Sequence, residues 1–170
     1  DHALAHRLAT EAGELLVALR ARLTEAGETP AALKAEGDRQ AHELLMAALA
    51  DAAPADAVLS EEGKDDHGRL SAARVWIVDP LDGTREFSEV PRTDWAVHVA
   101  LVESGSPIAG AVALPAQGVT LSTEQPPPLA PPVDGPPRLV VSRTRPPAAA
   151  QQLAEALDGV LVEMGSAGAK

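Results

Sequence analysis

The chain has 170 residues, no cysteine, and a net charge of −11 from 14 basic and 25 acidic side chains. The missing cysteines exclude disulfide staples, thiolate metal sites and cysteine nucleophiles, and so acidic a surface argues against a nucleic-acid polymer as partner. With 45% hydrophobic residues, no signal peptide and no apolar run near the roughly 18 residues of a membrane span, the expectation is a globular cytoplasmic protein without a transmembrane segment.

Residues 3–23 repeat Leu4, Leu8, Leu15, Leu19 and Leu23 at helical spacing, which predicts an amphipathic helix ended by Gly27 and Pro30. Asp38 reads as the N-cap of a second helix running to about Ala53, with Leu44, Leu45 and Leu49 inward and Pro54 as its stop. Val58-Leu59 is a short strand candidate, followed by a polar stretch from Glu61 to Gly68. Val75-Trp76-Ile77-Val78 has the continuous apolar character of a buried strand, and Pro80 is expected to turn the chain after it. Trp95 to Val102 and Ile108 to Leu114 read as paired strands around a Ser104-Gly105-Ser106-Pro107 turn, with Val119 to Leu121 as a third.

Residues 126–137 hold seven prolines and one glycine and read as an exposed connector. The order strand (Leu139 to Val141), helix (Pro147 to Leu157), strand (Val160 to Met164) then begins an α/β unit, ending on the glycine-containing turn 165–170. The fold class is therefore α/β: an N-terminal α+β half over 1–125, the connector 126–137, and the start of a second, incomplete α/β half over 138–170.

The chemistry concentrates in Asp79-Pro80-Leu81-Asp82-Gly83-Thr84. A strand that delivers Asp79, followed closely by Asp82, points two carboxylates at one spot, where their repulsion calls for a cation. Hard oxygen ligands suit Mg²⁺ or Mn²⁺. Gly83 and Thr84 open a helix whose N–H groups face an anion. Glu61 or Glu62 can supply a further acid, and Asp38 is another candidate. Taken singly, each piece has a plainer reading: a turn for Asp-Gly-Thr, a solvated loop for Glu61-Glu62, a helix cap for Asp38. An acidic chain that binds a phosphorylated substrate needs such cations or a basic patch.

The run Trp76 to Thr84 resembles the signature of the inositol monophosphatase superfamily of lithium-sensitive phosphatases. Ser60-Glu61-Glu62, Trp95 to Leu101 and Gly165-Ser166-Ala167-Gly168 are similar to other stretches of that family. Arg85-Glu86-Phe87 and Val141-Ser142-Arg143-Thr144-Arg145 resemble the bisphosphate nucleotidase branch, where inositol-specific relatives carry a Thr-Asn-Phe-like stretch. On structural grounds alone, two arginines beside a proline-rich loop are more often a solvated edge, though in so acidic a chain Arg143 and Arg145 are also a natural anion docking point.

The resemblance implies a layered α-β-α-β-α sandwich and a Mg²⁺-dependent phosphomonoesterase using two or three ions. Its substrate would be the 3′-phosphate of adenosine 3′,5′-bisphosphate or the sulfated relative, with a place in sulfur metabolism. Inositol monophosphatase or fructose-1,6-bisphosphatase activity is the nearest alternative, and a non-catalytic metal- or partner-binding protein that keeps the fold is another. By the same resemblance Glu61, Asp79, Asp82 and the Leu81 carbonyl are metal ligands. Thr84, held by Asp38 and assisted by Glu61, orients the attacking water. Gly83, Thr84, Ser142, Arg143, Arg145, Gly165, Ser166 and Lys170 bind substrate. Family members are often homodimers. Two departures stand out: Lys34-Ala35-Glu36-Gly37-Asp38 lacks the family's Ser-Pro and Thr, and the family's C-terminal Trp-Asp motif does not occur. The expectation is a truncated chain that binds its second metal poorly and is by itself inactive.

Overall fold

The computed structural model describes residues 1–129, 131 and 134–170; Ala130, Pro132 and Val133 of the proline-rich connector lie outside the described residues. Two long helices make the first layer. Helix α1 (His2–Glu25) buries Ala5, Leu8, Ala9, Ala12, Leu16, Leu19 and Leu23; of the expected stripe Leu8, Leu19 and Leu23 are fully inward, while Leu4 and Leu15 are only half-buried at its edge. Helix α2 (Pro30–Ala52) begins eight residues before the expected start at Asp38. Thr29 is its cap, accepting from the Ala32 N–H at 3.2 Å, with Pro30 in the first turn. Thr-Pro is the stronger start signal, because proline's fixed φ suits the first turn and its missing N–H costs nothing there. Asp38 consequently sits inside the helix, facing the next layer rather than capping.

That layer is a five-stranded mixed sheet in the order β1 (Ala57–Ser60), β2 (Arg74–Asp82), β3 (Ala96–Glu103), β4 (Ser106–Leu114), β5 (Val119–Ser122), with β1 parallel to β2 and the remaining pairs antiparallel. The inner face buries Trp76, Val78, Val97, Val99, Leu101, Ala109, Ala111 and Ala113 against the helices. The β3–β4 loop is the two residues Ser104 and Gly105, with φ of 50° and 82°; Ser106 and Pro107 already belong to β4. Positive φ at both loop residues matches the strand twist of a two-residue hairpin.

Pro80 does not turn the chain. β2 continues through it to Asp82, and a bulge absorbs the residue without an N–H. Helix α3 (Thr84–Ser88) follows, entered through Gly83 in the left-handed region. It seats Phe87 edge-on against Trp95, ring centroids 5.1 Å apart, and the Arg20 guanidinium lies 5.7 Å from both rings. Burying Phe87 contributes about 1.5–3 kcal/mol, and the ring pair about 0.5–1.5 kcal/mol more. Arg20 also donates to the carbonyls of Arg92 at 2.8 Å and Glu86 at 3.3 Å, pinning α1 to the segment after β2.

Beyond the connector, β6 (Arg138–Ser142) and β7 (Val160–Met164) form a parallel pair joined through α4 (Ala148–Ala156). The turn after β7 reaches the first sheet: the Gly165 N–H donates to Asp94 Oδ2 at 2.7 Å and the Ser166 N–H to the Asp94 carbonyl at 3.3 Å. Among the described residues no helix is long and apolar enough to cross a membrane.

Candidate active site

In a regular strand, residues three apart face opposite ways. Asp79 pairs with His98 and Asp82 with Ala96, so three steps along β2 meet two along β3, and one residue is extra. That bulge returns Asp82 to the face of Asp79, and His98, two residues from Ala96, shares it. Ligand atoms of Asp79, Asp82 and His98 lie within 4.8 Å of one another, a grouping able to hold a metal ion. A cleft of about 510 Å³ opens over them, lined also by Ser60, Glu61 and Ala167.

Each member is anchored. Asp79 Oδ1 accepts from the Leu81 N–H at 3.1 Å. Asp82 Oδ2 accepts from His98 Nε2 at 3.0 Å, Ser166 Oγ at 2.6 Å and the Gly168 N–H at 2.8 Å. Glu61 follows β1, its N–H donating to the Val78 carbonyl at 3.2 Å, and the preceding Ser60 hydroxyl meets His42 Nδ1 at 2.9 Å. Thr84 Oγ1 lies 3.1 Å from the Leu81 carbonyl oxygen and 3.4 Å from Asp38 Oδ1, so one hydroxyl links the bulge to α2.

The electrostatics divide the carboxylates. Burial pushes Asp79 well above the usual carboxylate range, reinforced by Glu61 and Asp82. Burial acts on Asp82 in the same sense but is outweighed by the His98, Ser166 and Gly168 hydrogen bonds, which hold it at about 2. The hydrogen bond to Asp82 raises His98. Asp38 rises to about 6 through burial and the neighbouring Glu62 charge. Crowded carboxylates, one of them pushed toward its proton by burial and its acidic neighbours, fit a divalent cation in this cleft. Oxygen donors with no sulfur suit a hard ion.

The residues expected to bind substrate are placed differently, and none of Ser142, Arg143, Arg145 and Lys170 lines the cleft. Arg143 Nη2 lies 2.6 Å from Glu86 Oε1 and 3.0 Å from Glu89 Oε2. Ser142 Oγ accepts from the Arg145 N–H at 3.3 Å, and the Arg145 side chain is exposed. Lys170 Nζ donates to the Gly165 and Ser166 carbonyls, both at 2.7 Å. Ser166 is fully buried and spends its hydroxyl on Asp82. His98 is the site member sequence reasoning missed; its signal is a lone polar residue on the Asp79 face of β3, visible once the β2–β3 register is known.

Comparison with known proteins shows the family. The inositol monophosphatase family model matches residues 2–126. The chain is 47% identical to the 3′-phosphoadenosine 5′-phosphate phosphatase of Mycobacterium leprae (strain TN), an alignment covering 100% of this chain and 66% of that protein. It is 48% identical to the protein of the same name from Mycobacterium bovis, covering 94% of this chain and 62% of the relative. The chain thus spans less than two thirds of the length of either curated relative. Inositol monophosphatase-II from Staphylococcus aureus MSSA476 superposes with a TM-score of 0.74 over 96% of this chain and 66% of its own, at 23% identity, and so shares the fold. Family model, relatives and fold agree: the chain belongs to the inositol monophosphatase family.

Proposed function

We propose that the whole protein is a metal-dependent phosphomonoesterase that removes the 3′-phosphate of adenosine 3′,5′-bisphosphate or of its sulfated relative. The observation that carries the reading is the β2 bulge, which turns Asp79 and Asp82 to one face beside His98 and Glu61. The nucleotide rather than another phosphate ester is supported by the 47% identity to a relative named for that substrate and by Arg85-Glu86-Phe87 after the signature.

Glu61, Asp79, Asp82 and the Leu81 carbonyl would hold Mg²⁺, with Mn²⁺ as a substitute. Such ions, when bound, polarise the phosphoryl oxygens and lower the pKa of water. Thr84 orients the attacking water through its hydroxyl, and Asp38, raised to about 6 and 3.4 Å from that hydroxyl, accepts the proton. Gly83 and Thr84 offer backbone N–H groups to the phosphate. Gly165 and Ser166 set the wall of the site through Asp94 and Asp82. Arg143 is paired to Glu86, and Arg145, whose side chain is exposed, would take the nucleotide's second phosphate.

The test is phosphate release with Mg²⁺ from adenosine 3′,5′-bisphosphate, beside inositol 1-phosphate and fructose 1,6-bisphosphate, with Asp82→Asn as control. Preference for the nucleotide, abolished in the control, is expected. Preference for inositol 1-phosphate or for fructose 1,6-bisphosphate would overturn the substrate. Metal binding without release from any of the three would turn the reading to a binding protein.

A further inference from the structure

Asp82 is the most heavily hydrogen-bonded group in the cleft, and its bonds are lopsided. All three donors meet Oδ2, and among the described residues none reaches Oδ1. Three donors on one oxygen fix the plane of the carboxylate and leave the other oxygen as the one that faces an incoming cation. An ionised carboxylate only accepts, so His98 must carry a proton on Nε2 to make its 3.0 Å contact. The nitrogen turned to the acids then has no lone pair for a metal, and Nδ1, across the ring from that contact, is the one His98 nitrogen left that could ligate.

We propose that His98 is a positioning residue and not a metal ligand: with Ser166 it holds Oδ2 of Asp82 so that Oδ1 is presented to the ion. This deepens the metal-site reading above and rests on it. The fold is built around the arrangement. His98 stands across the β2–β3 pair from Asp79, so the strand register places its ring beside both acids. The turn after β7 closes over it so tightly that a Cβ on Gly168 would lie 2.6 Å from His98 Nε2 and 2.8 Å from the Ala96 Cβ. Only glycine lets the Gly168 N–H reach Oδ2 past the ring. Donors of this kind behind a metal ligand contribute about 10–100-fold in metal affinity.

The experiment is Mn²⁺ binding to the 170-residue chain, read from the electron paramagnetic resonance of the free aquo ion, with melting of the metal-free protein alongside. It needs no turnover. His98→Gln keeps an N–H donor at similar reach and removes both imidazole nitrogens. The expectation is that His98→Leu and Ser166→Ala each weaken Mn²⁺ about 10-fold or more while His98→Gln stays within about threefold of the unchanged chain. His98→Gln as weak as His98→Leu would make the ring nitrogen a ligand and overturn the proposal, as would full affinity in His98→Leu. If His98→Leu does not fold, Ser166→Ala against His98→Gln carries the same comparison. Absence of Mn²⁺ binding by the unchanged chain would sink the metal-site reading itself, and this inference with it, whereas normal binding untouched by these variants sinks only the inference.

Discussion

Arg143, the residue after β6, is tied to Glu86 in α3 by two guanidinium nitrogens, Nε at 3.1 Å and Nη2 at 2.6 Å from the same carboxylate oxygen. Glu86 is 5% exposed, and this guanidinium is its ion-pair partner. Gly165 approaches so closely that a Cβ there would lie 2.2 Å from Glu86 Cδ, which leaves the acid no room to turn toward solvent. Removing one member of such a pair strands a buried charge, whereas removing both does not. Arg143→Met should therefore lower the melting temperature by several degrees, and the double variant Glu86→Gln with Arg143→Met should recover much of the loss. Thermal melts of the three proteins check this. Equal destabilisation in the single and double variants would show that the pair contributes little.

Gly83 carries a second prediction. Its φ of 86° places it in the left-handed region, and a Cβ would meet the Asp94 carbonyl oxygen at 3.2 Å and the Trp95 Cα at 3.3 Å. Both neighbours are backbone and cannot step aside. Gly83→Ala should cost about 1–2 kcal/mol for the conformation alone. At about 2–4 °C per kcal/mol for a chain of this size, that is a fall of about 2–8 °C in melting temperature. An unchanged melt would mean the turn relaxes at no cost.

These two sites show what sequence reading reaches and where it stops. The apolar periods of α1 and β3 depend on local chemistry, and the elements follow them. The signature acids were also legible, because Asp79, Asp82 and Thr84 lie close together in the chain. Asp38 was legible as a partner of Thr84 by resemblance, yet its element was misread, since Thr29-Pro30 starts the helix earlier and Gly37 is tolerated where Leu81 and Phe87 press against it. The Pro80 bulge hides behind a residue that ordinarily ends a strand. His98 and the Arg143–Glu86 pair arise from register and from contacts 57 residues or more apart for the latter, which no local pattern encodes.

The Thr84–Asp38 link predicts a separation of binding from turnover. Neither residue is among the atoms that gather around the metal grouping, yet Thr84 Oγ1 bridges toward the Asp38 carboxylate at 3.4 Å. If they orient and deprotonate water, Asp38→Asn and Thr84→Ala should each lower kcat of the whole protein by about 10²-fold or more. KM and Mn²⁺ affinity should stay near those of the unchanged protein, and Thr84→Ser, which keeps the hydroxyl, should restore most of the rate. Steady-state kinetics with a parallel Mn²⁺ titration decides it; a loss of metal affinity equal to the loss of kcat would place Asp38 among the ligands instead.

Asp56 carries the pH prediction, at the opposite end of β2 from the acidic cleft. Its carboxylate accepts from Arg74 Nε at 3.0 and 3.2 Å and from Trp76 Nε1 at 2.9 Å. Burial would raise its pKa, but the Arg74 and Trp76 hydrogen bonds outweigh that and hold it below the ordinary value. A carboxyl depressed in the folded state binds its proton more readily once unfolded. Its stabilising share is therefore complete above the unfolded pKa of about 3.9 and is lost as pH falls through the folded value. Asp56→Asn has no such proton to take up. The melting temperature of the unchanged chain should exceed that of Asp56→Asn by a constant margin from neutral pH down to about pH 5, and the margin should shrink steadily below about pH 4. A margin that stays constant down to the acid transition would mean that the Arg74 and Trp76 contacts do not favour the charged form.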